Sequence, residues 1–209
     1  MKRKKPLWIA TAFAGAWLAL SSAASAETAY VTPFGNEDTV ATIGTFVDGT
    51  WIAWERRSTF GQCDQIYWEL VGPATGLEED VSVHGGGGND YLVEQWRLGW
   101  LCGWQVTPPI HNGHAVLLYG HGGANRIEAT DQETFLFGGP GNDKLISYSI
   151  GANAGPYLFG NGGDDTLCGV GPGTQEWYDG GDGYDTVYDF NNSFASSANI
   201  ESTVSRCNN

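Results

Sequence analysis

The chain has 209 residues, with 24 acidic and 10 basic side chains for a net charge of −14, and 31 glycines. This balance excludes nucleic acid as a partner and argues against an anionic membrane surface, since both need clustered Lys and Arg; it favours multivalent cations. The glycines follow no Gly-X-Y period, which excludes collagen, and the aromatic content is too high for a disordered acidic tail.

Lys2, Arg3, Lys4 and Lys5 precede an apolar run over 7–20 and a small-residue stretch over 21–26. A basic start, a short apolar core and a small-x-small ending have the form of a secretory signal cut after Ala26. The run is shorter than the ~18–20 apolar residues a membrane span needs, so no membrane insertion is expected after cleavage. The rest of the chain keeps six basic groups against all 24 acidic ones, a net charge of −18. In an exported chain, Cys63, Cys102, Cys168 and Cys207 are expected to form two disulfides. Four cysteines permit three pairings; joining Cys63 to Cys102 and Cys168 to Cys207 keeps each bridge local and is preferred.

Residues 27–80 show strand-like runs over 39–43, 50–54 and 65–71, separated by turn signals such as Val47-Asp48-Gly49, and are expected to form an N-terminal β cap. Beyond residue 92 a long gap holds Trp96, Trp100, Cys102, Trp104 and Pro108-Pro109. It is either a motif-free coil or an inserted loop. Its Trp cluster could stack on sugars, but burial is the preferred reading. His111-x-x-His114 has metal-like spacing, yet no Glu completes an HExxH motif and the prolines oppose a helix there.

The second half carries a repeat. Five segments align: Gly85-Gly-Gly-Gly-Asn-Asp90-Tyr-Leu92, Gly120-His-Gly-Gly-Ala-Asn125-Arg-Ile127, Gly138-Gly-Pro-Gly-Asn-Asp143-Lys-Leu145, Gly160-Asn-Gly-Gly-Asp-Asp165-Thr-Leu167 and Gly180-Gly-Asp-Gly-Tyr-Asp185-Thr-Val187. Position four is always Gly, position six is Asp or once Asn, and position eight is Leu, Ile or Val. Gly at positions one, two and four suits left-handed or strained backbone, and the Asp supplies a hard oxygen. Apolar Val83, Leu118, Leu136, Leu158 and Tyr178 stand two residues before each first Gly, on the core side of their own short strand. Each unit thus reads strand, Gly turn, strand, and units stacked about 4.8 Å apart build a parallel β-solenoid. Phe34-Gly-Asn-Glu-Asp38-Thr-Val40 faintly echoes the repeat and could be a worn first coil. Stacking puts Asp90, Asn125, Asp143, Asp165 and Asp185 in one row. Two unit charges at that spacing repel by roughly 3.5 kcal/mol at an effective dielectric of 20, a large load against a total stability of about 5–15 kcal/mol. A divalent cation between coils reverses the sign, and calcium accepts the irregular carboxylate and carbonyl cages that magnesium tolerates poorly.

These segments resemble the hemolysin-type calcium-binding nonapeptide of RTX proteins, GGxGxDxUx with U a large aliphatic residue. The resemblance covers residues 83–188 and implies a right-handed parallel β-roll with Ca²⁺ between successive same-side loops. It implies sites between the 138 and 160 loops and between the 160 and 180 loops. The residues carried over are Gly138, Pro140, Gly141 and Asp143, then Gly160, Gly162, Gly163 and Asp165, then Gly180, Asp182, Gly183 and Asp185. All but Asp143, Asp165 and Asp185 would act through backbone oxygen. Asp90 and Asn125 extend the row, with a weaker site at the Asn. Family repeats usually recur every nine residues, filling turns on both sides of the roll; here the turns near 130–133, 150–156 and 170–176 lack the motif, so one calcium row is expected instead of two. Many RTX proteins leave through an uncleaved C-terminal signal, unlike the N-terminal signal seen here.

Leu117, Tyr119, Phe135, Phe137, Tyr157, Phe159 and Trp177 flank the inward positions and are expected on an outer face. The other face, with Arg126, Glu128, Lys144, Ile146, Thr166 and Thr186, is expected to be wetter. The aromatic face is read as covered by residues 27–80, or alternatively as a surface for glycan rings. No GxSxG elbow or opposed carboxylate pair suggests catalysis, and Asp164 and Asp165 are assigned to calcium. The expectation is therefore an all-β, right-handed parallel β-roll with a smaller N-terminal β cap: signal 1–26, cap 27–80, roll 81–190 and C-terminal cap or tail 191–209. It is read as secreted or extracellular, with a periplasmic or cell-surface address also compatible. Its partners are calcium ions and a glycan or cell-surface ligand, and its role is structural or adhesive, not enzymatic. The alternatives are a carbohydrate-binding module and a small RTX-type polysaccharide-acting enzyme.

Overall fold

The computed structural model describes residues 27–95, 99–129, 133–148, 155–170, 176–189, 196–204 and 207. The segment read as a secretory signal, Trp96, and most of the turns near 130, 150 and 172 lie outside the described residues. No helix among the described residues is long and apolar enough to cross a membrane.

The fold is all-β. One seven-stranded sheet runs, in spatial order, Glu27–Val31, Asp80–His84, Val116–Tyr119, Thr134–Pro140, Tyr157–Gly162, Trp177–Asp182 and Ser196–Ala198. Every pairing in it is parallel. The second sheet has Ser202–Val204, Thr186–Asp189, Thr166–Gly169, Lys144–Ser147, Arg126–Ala129, Tyr91–Glu94 and Thr39–Phe46 in parallel, then Gly49–Arg56 and Tyr67–Gly72 antiparallel. Each Gly turn therefore carries the chain from one sheet to the other.

Register follows the repeat. Val83, Leu118, Leu136, Leu158 and Tyr178 align across the first sheet. Leu92, Ile127, Leu145, Leu167 and Val187 align across the second. All ten are essentially fully buried and belong to one core. Burying a Leu or Val side chain stabilises by about 1.5–3 kcal/mol, so these two columns hold the sheets together.

The N-terminal segment does not lie over the aromatic face, as expected from sequence. Glu27–Val31 is the edge strand of the first sheet, parallel to Asp80–His84, and Thr39–Phe46 lies in the second sheet between Tyr91–Glu94 and Gly49–Arg56. The echo at 34–40 is shifted by one residue. Val40 aligns with Tyr91, which places Thr39, not Asp38, level with Asp90. The gap after residue 92 is an insertion and not an extra unit, because the unit before it and the unit after it pair directly, Asp80–His84 with Val116–Tyr119 and Tyr91–Glu94 with Arg126–Ala129. It forms the hairpin Gly99–Leu101 and Trp104–Val106. Cys63–Cys102 ties this hairpin to the N-terminal strands, and Cys168–Cys207 is the other bridge. Trp100 and Trp104 are exposed, against the burial expected for the cluster.

Two expectations about the faces change. On the outside of the first sheet, Tyr119, Phe137 and Phe159 stack with ring centroids 4.5 and 5.0 Å apart, and Phe135 stacks on Tyr157 at 4.7 Å, all within 9° of parallel. His84 extends the first column onto Tyr119 at 4.7 Å. The rings are half-buried by one another. On the second sheet the row Glu128, Ile146 and Cys168 is buried, not wet. The bridge from Cys168 holds Cys207, near the end of the chain, against that row.

The Gly positions serve different needs. Position one has no left-handed backbone. A Cβ at Gly160 would instead overlap Asp165 Oδ2 and the Gly180 carbonyl oxygen. Gly163, at position four, has φ +121° and abuts the Gly141 carbonyl, so both backbone and space demand Gly. Position two is left-handed yet accepts His121 and Asn161, at φ 65° and 75°. Gly160→Ala is expected to destabilise by about 1–3 kcal/mol. Gly162→Ala, where a Cβ meets nothing within 4 Å, should change the thermal midpoint little. Equal midpoints for the two variants would refute the steric role of position one.

Candidate metal centre

The position-six side chains form a buried row in which every described member is at most 2% exposed: Asp90, Asn125, Asp143, Asp165 and Asp185. Each reaches back to the previous unit. Asp90 Oδ1 accepts from the Thr39 N–H at 2.7 Å, Asn125 Oδ1 from Asp90 at 2.9 Å, and Asp143 Oδ1 from Asn125 at 2.6 Å. Asp165 Oδ1 accepts from Asp143 at 2.7 Å and Asp185 Oδ1 from Asp165 at 2.8 Å. Glu201 Oε2 ends the row on the Asp185 N–H at 2.8 Å. One residue later the ordinary strand ladder takes over, with Lys144, Thr166 and Thr186 donating to the carbonyls of Asn125, Asp143 and Asp165. The side-chain oxygen thus stands in for a strand carbonyl where the Gly turn has none to offer.

That leaves the second oxygen. Oδ2 of Asp90, Asp143, Asp165 and Asp185 is buried without a hydrogen-bond partner. An orphaned buried carboxylate oxygen costs several times what a neutral group does. The next unit presents another acceptor beside it. Asp143 Oδ2 and Gly160 O both crowd the space above Gly138, Asp165 Oδ2 and Gly180 O that above Gly160, and Asp185 Oδ2 and Asn199 O that above Gly180. A buried carboxylate oxygen without a donor, with a carbonyl oxygen in the same dry neighbourhood, calls for a proton or a cation.

Asn125 is the internal control. Its Oδ1 occupies the same rung, but its amide Nδ2 replaces Oδ2 and donates, at 3.5 Å, to the Gly138 and His121 carbonyls. At that rung an N–H faces the carbonyl, whereas beside Gly160 O and Gly180 O stands an unpartnered carboxylate oxygen.

The other residues expected at the site are close by but otherwise engaged. Gly162 O and Asp182 O, at position three, accept from the N–H groups of Gly141 and Gly163 at 2.7 and 2.8 Å. Pro140 aligns with Gly162 at the end of its strand. Gly141 O and Gly163 O fill the space that a Cβ would take at Gly163 and Gly183. Asp164 does not join Asp165. It belongs to a second, exposed row at position five that runs in the opposite sense: Asp38 Oδ1 accepts from Asn89, Asn89 Oδ1 from Ala124, Asn142 Oδ1 from Asp164 and Asp164 Oδ1 from Tyr184, at 2.7–3.0 Å. The recurring Asn or Asp at position five was the sequence signal for this row. Glu201 followed by Ser202 and Thr203 was the only signal for the last rung.

His111 and His114 do not converge. His111 Nε2 pairs with Glu94 Oε1 at 2.7 Å, while His114 Nδ1 lies 3.5 Å from Asp80 Oδ1. No group of three His, Cys, Asp or Glu side chains among the described residues could hold a metal, so an ion in the row must draw on backbone oxygen.

Burial pushes the carboxyl pKa of Asp90 and Asp143 up to about 6 and that of Asp165 up to about 7, and raises that of Asp185. For Asp165 the Asp143 N–H opposes burial, and the charges of Asp143, Asp185 and Asp164 reinforce it.

The family described as the RTX calcium-binding nonapeptide repeat matches in four copies, over residues 74–93, 119–148 and 157–170. The chain carries RTX calcium-binding repeats. The match ends before the Gly180 loop, yet Asp185 continues the row without a break. No curated protein and no solved structure gives a significant match to the chain. The RTX repeats imply Ca²⁺ as the bound ion. The residues present fit it, since unpartnered carboxylate oxygens alternate with carbonyls in the mixture calcium accepts.

The raised carboxyl pKa values fix the sign of the pH response. Without metal, the stability these groups contribute is complete below the unfolded carboxyl pKa of about 4 and is lost as pH rises through 6–7. In chelator the thermal midpoint is expected to be higher at pH 5 than at pH 8. Excess Ca²⁺ should restore the midpoint at pH 8 and do little at pH 5. A midpoint in chelator that is flat across this range would contradict the orphaned-oxygen geometry.

Proposed function

We propose that this chain is an exported module in which calcium completes a right-handed parallel β-roll, and that its role is structural or adhesive, not catalytic. The observation that carries this reading is the set of buried, unpartnered Oδ2 atoms at Asp143, Asp165 and Asp185, each sharing the space over a loop Gly with a backbone carbonyl, set against the self-satisfied amide at Asn125. Ca²⁺ would be held by those carboxylates with carbonyls of the loops at 138, 160 and 180 and of Asn199. The ligand set read from sequence is Gly138, Pro140 and Gly141, Gly160, Gly162 and Gly163, and Gly180, Asp182 and Gly183. Asp90 would serve as an outer ligand. The ion supplies the positive charge that the row lacks; the chain supplies the spacing, the burial and the glycines that admit close stacking.

The coil would begin at Glu27, with the antiparallel strands 49–72 covering one end and the short strands Ser196–Ala198 and Ser202–Val204 lying at the other. Two disulfides fasten those ends and suit an oxidising, extracellular address. The aromatic columns do not favour glycan stacking, because their ring faces are turned to one another and only edges look outward.

Titration of the chain lacking residues 1–26 with Ca²⁺, with the bound metal counted, is expected to give one ion for each of these three Oδ2 atoms. Chelator should weaken the β circular dichroism signal at pH 8. Metal-free protein with unchanged spectrum and melting would refute the proposal. Asp165→Ala strands the Asp143 N–H and should cost about 1–3 kcal/mol as well as calcium. Asp165→Asn reproduces the Asn125 rung, so it should also lose calcium yet melt above the unsubstituted chain in chelator at pH 8. Full calcium stoichiometry in both variants would show that Asp165 is not a ligand.

A further inference from the structure

A second feature lies away from the Gly loops. Phe46, Asp48, Trp51, Trp68 and Trp104 line a cavity of about 310 Å³. Strand alternation explains how the rings meet. Trp51 pairs with Gly44, and Trp68 with Ala53. Phe46, Trp51 and Trp68 therefore share the face opposite Ile43, Ile52 and Trp54, which fill the core. Gly44 leaves room on that face for the inserted hairpin, since a Cβ there would collide with Val106 and the Thr107 carbonyl. Reciprocal Thr45 and Thr107 backbone hydrogen bonds of 2.9 Å and the Cys63–Cys102 bridge hold the hairpin in place. Its Trp104, 57% exposed, forms the outer wall.

The chemistry of this box is specific. Phe46 and Trp68 stand at 88° with centroids 5.2 Å apart, so the walls are angled and enclose a compact group better than a flat ring. Apart from Asp48 the lining residues are all aromatic, and Trp51 Nε1 already donates to Asp48 Oδ1 at 3.2 Å. A pyranose would bring several hydroxyls to a site with few partners for them. A primary ammonium or a metal ion would have to shed strongly held water against ring faces. A methylated ammonium has neither cost: it carries charge, it has an apolar surface, and aromatic faces attract it electrostatically. The carboxylate at the turn and the net charge of −14 supply the complementary sign.

We propose that this cleft is a binding site, independent of the calcium row, for a methylated ammonium group of the choline type. The test is calorimetric titration of the calcium-loaded chain with choline chloride and, in parallel, with its uncharged isostere 3,3-dimethylbutan-1-ol. Choline is expected to bind saturably and roughly tenfold more tightly than the alcohol. Trp104→Ala and Asp48→Asn alter exposed residues, so they should weaken choline binding roughly fivefold or more and leave calcium content and melting unchanged. Equal affinity for choline and the alcohol would reduce the cleft to a plain apolar cavity and overturn the proposal. So would absence of saturation, or unaltered choline binding in Trp104→Ala. Because calcium is counted in the same samples, loss of the row and failure of the cleft give different readouts.

Discussion

A buried carboxylate held by one oxygen only is the constraint from which the rest of this structure follows. In each unit the position-six Asp gives Oδ1 to a backbone N–H of the unit before, and thereby extends the parallel ladder into the Gly turn. The same hydrogen bond fixes where Oδ2 must go. It points over the first Gly of its own loop, beside a carbonyl of the next unit, in a space closed to water. The metal-free row is therefore sound on one edge and electrostatically incomplete on the other. On the proposed reading, a cation would act on that asymmetry more than on direct repulsion along a line of charges.

The glycine pattern is the steric counterpart of this arrangement. At Gly138, Gly160 and Gly180 position one must lack a Cβ so that the carboxylate and a carbonyl can share its space, and at Gly123, Gly141, Gly163 and Gly183 position four must be Gly for backbone and contact alike. Position two is left-handed throughout: His121 and Asn161 stand there at φ 65° and 75°, whereas at Gly86, Gly139 and Gly181 a Cβ would meet a carbonyl of the preceding unit. Outside, the position-five row repeats the logic in the opposite direction and in water, where a missed rung at Ala124 costs little. Inside, Asn125 shows that one rung can close without metal when an amide replaces a carboxylate.

The two ends of the molecule have separate chemistries. The Gly loops are acidic and repetitive, dry along the position-six row and wet along the position-five row. The N-terminal strands and the inserted hairpin are irregular and rich in Trp, and they leave an angled aromatic cleft with a single carboxylate. The outer aromatic columns belong to neither, since their faces are spent on one another and their contribution is to the sheet that carries them.

The periodic part could be read from the chain alone: the Gly turns, the two apolar columns and the acidic row. These follow from spacing, because in parallel stacked units a residue's neighbour is its own counterpart one repeat on. Local economy in the cysteine pairing was legible for a similar reason. What only the tertiary structure decided were contacts without a period. Thr39 in place of Asp38 at the first rung depends on a one-residue register that the hydrophobic pattern of 34–40 does not specify. Glu201 closes the last rung because a longer side chain reaches from a segment with no Gly motif. Whether the Trp-rich gap was a unit or an insertion, and which Trp faces it left open, turned on pairing between strands far apart in the chain, and a single sequence carries no repeat from which to read such pairing.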